Sequence, residues 1–149
     1  MVIETQIVLD AEDPHRLGAF WAAALGFELE DNSALIRQLL DAGAAPEEAT
    51  VDVDGRLAWR TIVAIRHPDD PVQEVSGAGL GRRMLFQEVP EPKSAKNRMH
   101  LDLKVGAPAM EAEVNRLADL GATVLRRLKG AGNHHVTMQD PEGNEFDVQ

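Results

Sequence analysis

The chain contains no cysteine, which at once removes a disulfide framework, a cysteine-ligated zinc site and a thiol nucleophile. No apolar run approaches bilayer-spanning length, and the start, MVIETQIVLD, lacks the basic region and apolar core of a secretory leader. The expected location is therefore the cytoplasm, with no membrane partner. Cations are also scarce: 15 Lys and Arg stand against 25 Asp and Glu, a formal net charge of -10. Phosphate recognition needs clustered Lys and Arg, so nucleic acid is not an expected partner. The short basic stretches at Arg82-Arg83, 93–98 and 126–129 are flanked by acids and read as solvated loops. The acidity would steer a cationic ligand inward, though it mostly reports solubility. No serine sits in a nucleophile elbow.

What is present is ordinary for a folded protein. The chain has 149 residues, 44% hydrophobic and 27% charged, enough to bury a core as a single domain, 1–149. Over residues 2–10, Ile3, Ile7 and Leu9 alternate with Glu4, Gln6 and Asp10, which predicts a half-buried strand. Asp13-Pro14 then opens a helix with Leu17, Phe20, Trp21, Ala24 and Leu25 on one face. Gly26 closes it, and a second strand leaves through FELED. The pattern returns later. Met99, Leu101, Leu103 and Val105 alternate with His100, Asp102 and Lys104. A helix with Met110, Val114, Leu117 and Leu120 on one face follows and also ends in Leu-Gly. HHVTMQ, a DPEGN turn and a last strand complete this second unit.

The first unit carries an insertion, residues 33–81. Ser33 is placed to cap a helix holding Leu35, Ile36, Leu39 and Leu40, stopped at Gly43. A hairpin turning at Asp54-Gly55 follows, with strands at 50–53 and 57–66. HPDDPVQEVSGAGLG reads as a surface loop, because a strand rather than a helix follows its glycines and a phosphate cradle is not expected. Residues 83–89 supply the closing strand. The fold class is α+β: two βαβββ modules, about 1–89 and 98–149, with a helical insertion in the first.

Both the first and the last strand of each module carry polar residues at interior positions. FQEV aligned with FDVQ matches Phe86 to Phe146 and Gln87 to Asp147, and counting back from each Leu-Gly matches Gln6 to His100. One imidazole, one carboxylate and two amide oxygens could surround a divalent ion. Such alternation is also the mark of a sheet face turned to water, and spacing alone favours that simpler explanation. In His134-His135 the rings point to opposite faces, so one could reach a cleft, although a surface or edge position is the expectation for each. Trp59 fits either core or cleft wall.

The segments DPHRLGAFWAAALGFE, RRMLFQEVPEPKSAKNRMHLDL and MQDPEGNEFDV resemble the vicinal oxygen chelate superfamily, which includes glyoxalase I, extradiol dioxygenases and bleomycin-resistance proteins. The resemblance covers nearly the whole chain outside the insertion, and within the superfamily the chain resembles bacterial glyoxalase-like proteins. It implies paired βαβββ modules curled around a cleft, a homodimer, and a small-molecule ligand. It places metal ligands at Gln6, Gln87, His100 and Asp147, with His100 and Asp147 in acid-base work. Gln87 and Asp147 stand where metal-dependent relatives usually carry glutamates. One carboxylate neutralises a divalent ion poorly, so any ion would be weakly held. Gln87 cannot move a proton beside a carbonyl, as glyoxalase chemistry requires. Two functions follow: a divalent-metal-dependent lyase or related enzyme, or a metal-free protein that sequesters a small molecule such as a cationic antibiotic.

Overall fold

Two four-stranded mixed sheets, each packed on one helix, carry the architecture of this α+β chain. A computed structural model describes residues 1–130 and 132–149, with every side chain among them except that of Asn133. The contacts divide the chain into two units, Met1–Pro90 and Glu91–Gln149. Among the described residues no helix is long and apolar enough to cross a membrane.

The first unit runs β1 (Ile7–Ala11), α1 (Pro14–Leu25), β2 (Glu28–Leu29), α2 (Ser33–Asp41), a 3-10 turn (Glu47–Ala49), β3 (Thr50–Val53), β4 (Arg56–Trp59), β5 (Ile62–Arg66) and β6 (Arg83–Glu88). Its sheet has the order β1-β6-β5-β2, with β1 and β6 parallel and the other pairs antiparallel. Asp13 caps α1 by accepting from the backbone N–H of His15 and Arg16, and Gly26 ends it at φ 67°. The apolar face then buries Leu17, Phe20, Trp21 and Ala24 against strands β5 and β6, whose Val63, Ile65, Met84 and Phe86 are also buried. A side chain at Gly18 would meet Val63 Cγ1 at 2.6 Å, so a glycine there is what lets α1 lie this close to the sheet.

Three local expectations are corrected. The first strand begins at Ile7, not residue 2, because β6 begins at Arg83 and offers its first apolar partner, Met84, to Ile7. Val2 and Ile3 are exposed despite their alternation, having no strand to pair with. Ser33 is the first residue of α2 rather than its cap; Asp31 accepts from its hydroxyl and from its backbone N–H, and these bonds hold the Asp31 carboxyl below its ordinary range. The strand expected over 57–66 is two strands. β4 pairs only with β3 across the Asp54-Gly55 turn, where both residues have positive φ, whereas β5 joins the main sheet.

The second unit runs β7 (Asp102–Leu103), α3 (Met110–Asp119), β8 (Thr123–Gly130), β9 (Asn133–Gln139) and β10 (Glu145–Val148), in sheet order β7-β10-β9-β8. Strand alternation sorts its two faces. Val136, Met138, Phe146, Val148 and Leu103 are buried, as are Met110, Val114 and Leu117 of α3. The β9–β10 turn is fixed by Asp140, whose Oδ1 accepts from the backbone N–H of Glu142 and Asn144. The strand expected over 99–105 shrinks to two residues with ladder partners, although Leu101 O still accepts from Asp147 N at 2.9 Å.

Candidate functional site

The face of the second sheet opposite α3 is polar. Register places Asp147 of β10 between Asp102 of β7 and Thr137 of β9. Alternation therefore puts all three side chains on one face, because Phe146 and Val148 are committed to the other. His100 Nε2 lies 3.3 Å from Asp102 Oδ1 and 3.6 Å from Asp147 Oδ2. One ligand atom from each of His100, Asp102 and Asp147 falls within 4.8 Å of the others.

Both carboxylates are aimed by neighbours in the sheet. The Thr137 hydroxyl donates to Asp147 Oδ1 at 2.6 Å, leaving Oδ2 toward His100. Gln149 Nε2 donates to Asp102 Oδ2 at 3.0 Å, leaving Oδ1 toward the same imidazole. Such outer partners fix which carboxylate oxygen is available to a ligand or metal. His135 adds a second imidazole, its Nε2 3.7 Å from Asp147 Oδ2 and its side chain 13% exposed. Arg126 of β8 donates through Nε to the Thr137 hydroxyl oxygen at 3.4 Å, completing a chain from β8 to β10.

The donor set fits a divalent ion. Ligands bonded to one ion at about 2.0–2.1 Å sit roughly 2.8–3.4 Å apart in octahedral or tetrahedral geometry. The two imidazole-to-carboxylate separations, 3.3 and 3.6 Å, lie close to that range, and all three ligand atoms fall within 4.8 Å of one another. Two carboxylates and a neutral imidazole would also balance the ion's charge, which Asp147 alone would not.

The expected ligand positions are distributed as follows. His100 and Asp147 come together in the second unit, joined by Asp102. Gln6 and Gln87 belong to the first. The Gln6 side chain accepts from Arg83 Nη1 at 2.5 Å, and Gln87 is exposed on β6 between Asp10 and Ile62. The parallel registers pair Asp10 with Gln87 and Asp102 with Asp147, so Asp10 rather than Gln6 is the structural neighbour of Gln87. Counting back from Leu-Gly misleads because the β1–α1 connection, residues 12–13, is much shorter than the β7–α3 connection, residues 104–109. Asp102 was legible as the same-face neighbour of His100. His135, expected at a surface or edge, reaches Asp147 only through cross-strand register.

Glu145, two residues before Asp147, does something else. It accepts from Asn97 N at 2.9 Å and meets Lys93 Nζ at 3.3 Å, which ties the segment 93–97 to β10. Burial would push its carboxyl up, but the bonds from backbone N–H and Lys93 outweigh it and hold the group below its ordinary value.

Two mixed sheets of βαβββ type with an acid-imidazole cluster on a polar sheet face define a vicinal oxygen chelate fold. The glyoxalase-like domain family matches residues 6–149, and the chain belongs to that family. It is similar in fold to the fosfomycin resistance protein FosX from Mesorhizobium loti, with 9% identity, TM-score 0.61, and coverage of 100% of this chain and 91% of that one. A FosX variant from Listeria monocytogenes, solved with Mn(II) and 1S,2S-dihydroxypropylphosphonic acid, matches at 10% identity and TM-score 0.58, covering 100% of this chain and 90% of that one. A glyoxalase/bleomycin resistance protein/dioxygenase family enzyme from Burkholderia phytofirmans matches at 15% identity and TM-score 0.56, covering 96% and 94%. No curated protein sequence matches the chain.

Proposed function

We propose that the chain is a divalent-metal-dependent enzyme of the glyoxalase-like type acting on a small oxygenated molecule, with His100, Asp102 and Asp147 as metal ligands. The observation that carries this reading is the direct opposition of Asp102 and Asp147 around the His100 imidazole. Like charges held this close oppose each other, and a cation between them would offset that cost. The Listeria relative solved with Mn(II) supports a divalent ion as the group held. When bound, the ion would polarise an oxygen of the substrate. Thr137 and Gln149 would hold the ligand oxygens in place. The imidazole of His135, its Nε2 3.7 Å from Asp147 Oδ2, lies beside the site and would be the group to move a proton next to a polarised carbonyl. Under this proposal the three ligands all come from the second unit, and in the first unit Gln6 is occupied by Arg83.

A second reading draws on exposure. The His100 and Asp102 side chains are 42% and 43% exposed, open enough to admit an organic cation in place of an ion. In that case the protein sequesters a cationic small molecule without metal. Calorimetric titration of metal-stripped protein with Mn(II), Ni(II) and Zn(II) separates the two. The enzyme reading expects one site per chain, lost by at least a hundredfold in Asp102→Asn and in Asp147→Asn. No binding of any of the three ions to wild type would overturn it and leave sequestration.

A further inference from the structure

Two strand-forming pieces of the chain lack partners. Residues 1–5 lead into β1 with the branched side chains Val2, Ile3 and Thr5, which favour extended backbone. The ladder with β6 nevertheless starts at Ile7, and residues 1–6 are all exposed, Val2 at 95% and Ile3 at 75%. The Gln6 side chain, accepting from Arg83, ties down the point where this segment meets β1. In the second unit, β8 ends the sheet order β7-β10-β9-β8. Among the described residues it pairs only with β9, so the N–H and C=O groups of its outer edge have no strand beside them. All eight of its residues are exposed, Leu125 at 48% and Leu128 at 37%.

Charge decides which strand suits that edge. Arg127 Nη1 turns along one face to meet Glu111 of α3 at 2.6 Å, and Arg126 Nε turns along the other to the Thr137 hydroxyl oxygen at 3.4 Å. Neither closes the edge, but both discourage pairing of β8 with β8 of a second copy. An antiparallel two-fold pair centred on position 126 sets Arg126 against Arg126. Centred on 127 it sets Arg127 against Arg127, and centred on 128 it sets Arg127 against Lys129. Like charges directly opposite are destabilising. The edge therefore suits a strand that carries an acid and no base, and residues 1–5 hold Glu4 with neither Lys nor Arg.

We propose that residues 1–5 of one copy add as an antiparallel strand to the outer edge of β8 in a second copy. Spacing selects the register. Val2 and Glu4 share one side of an extended segment, as Leu128 and Arg126 share the side of β8 that carries His135 and Thr137 of β9. Val2 opposite Leu128 then brings Glu4 opposite Arg126, an apolar pair and an ion pair on one face, while Ile3 covers the stem of Arg127 on the other. Both pieces are exposed within the single chain, so the pairing is between copies. Exchange in both directions closes a two-fold dimer through added strands. No metal ligand takes part.

The absence of cysteine from the chain makes disulfide trapping clean. Directly opposed antiparallel residues lie about 4.5–5.5 Å apart at Cα, within disulfide reach. Full-length Val2→Cys and Leu128→Cys chains, mixed at micromolar concentration in a glutathione redox buffer, should give a mixed disulfide dimer identified by mass. Its yield should exceed at least tenfold that from Ile3→Cys mixed with Leu128→Cys, where the side chains point to opposite faces. Glu4→Lys should raise the dimer dissociation constant at least tenfold by sedimentation equilibrium, and removal of residues 1–5 should leave a monomer. Both variants should keep the wild-type thermal melt, since residues 1–5 lie outside every ladder. Equal trapping in the two mixtures would overturn the proposal, as would a Leu128→Cys homodimer as abundant as the mixed one, which marks β8 pairing with itself. So would a chain carrying both Val2→Cys and Leu128→Cys that closes on itself, a dimer indifferent to Glu4→Lys or to loss of residues 1–5, or a monomeric wild type.

Discussion

Replacing Thr137 by valine tests whether the sheet aims Asp147. Thr137 is 5% exposed, and valine has nearly its shape, so the β9 backbone and the packing around it should persist. What disappears is a 2.6 Å hydrogen bond from the hydroxyl to Asp147 Oδ1, together with the acceptor for Arg126 Nε. A hydrogen bond to a charged group is worth roughly 1.5–3 kcal/mol, and leaving a buried partner unsatisfied costs more than a solvated one. The Asp147 side chain is 18% exposed, so water can reach Oδ1 and replace part of the bond. The expected loss of folding stability is therefore near the lower end, about 1.5 kcal/mol by urea denaturation. The effect on metal should be larger. Losing an outer-shell partner of a ligating carboxylate typically costs 10–100-fold in affinity, and here the freed carboxylate can also rotate Oδ2 away from His100. Calorimetry with Mn(II) on wild type, Thr137→Val and Thr137→Ser would measure it, serine restoring the hydroxyl and with it most of the affinity. A folded valine variant with wild-type metal affinity would refute the idea that the β9 hydroxyl orients the ligand oxygen.

Further tests address other parts of the molecule. Gly77→Ala should cost about 3 kcal/mol, since φ of +71° disfavours any side chain and the added carbon would lie 2.1 Å from Asp31 O; a urea midpoint close to wild type would contradict this. The Glu145 carboxyl is depressed from an ordinary value near 4.5, so its contribution is complete above that pH and is lost as pH falls through its lower folded value. The stability gap between wild type and Glu145→Gln should accordingly shrink on acidification from pH 5 towards pH 3, and a gap that widens would reverse the assignment. Removing one partner of the buried Arg83–Glu30 pair, as in Glu30→Ala, should destabilise by roughly 3–5 kcal/mol, seen as a large drop in melting temperature. We also expect a homodimer, because β8 is an eight-residue edge strand exposed along its length; light scattering giving the 16.3 kDa monomer mass at micromolar concentration would exclude it.

Local chemistry was enough to write much of this fold in the sequence. Asp13-Pro14 and Gly26 bound α1 because a cap and a left-handed terminus act within one turn of the chain. Asp54-Gly55 specifies its hairpin for the same reason, and alternation in EFDV assigns Phe146 inward and Asp147 outward without reference to any other strand. The family resemblance rests on these short-range signals, and they place His100 and Asp147 as site candidates. Partners in space are a different matter. Where β1 begins depends on where β6 begins, at Arg83, 76 residues further along the chain than Ile7, in a sequence that gives no hint of register. Asp102 becomes a ligand candidate only when β7 settles beside β10, and His135 only when β9 brings it to Asp147. The bonds from Thr137 and Gln149 that choose one oxygen of each carboxylate likewise join residues that alternation can assign to a face but cannot pair. Side-chain direction is fixed by the dihedrals of a single residue, whereas the pairing of two strands is fixed by the packing of both against a common helix, and only the folded chain supplies that.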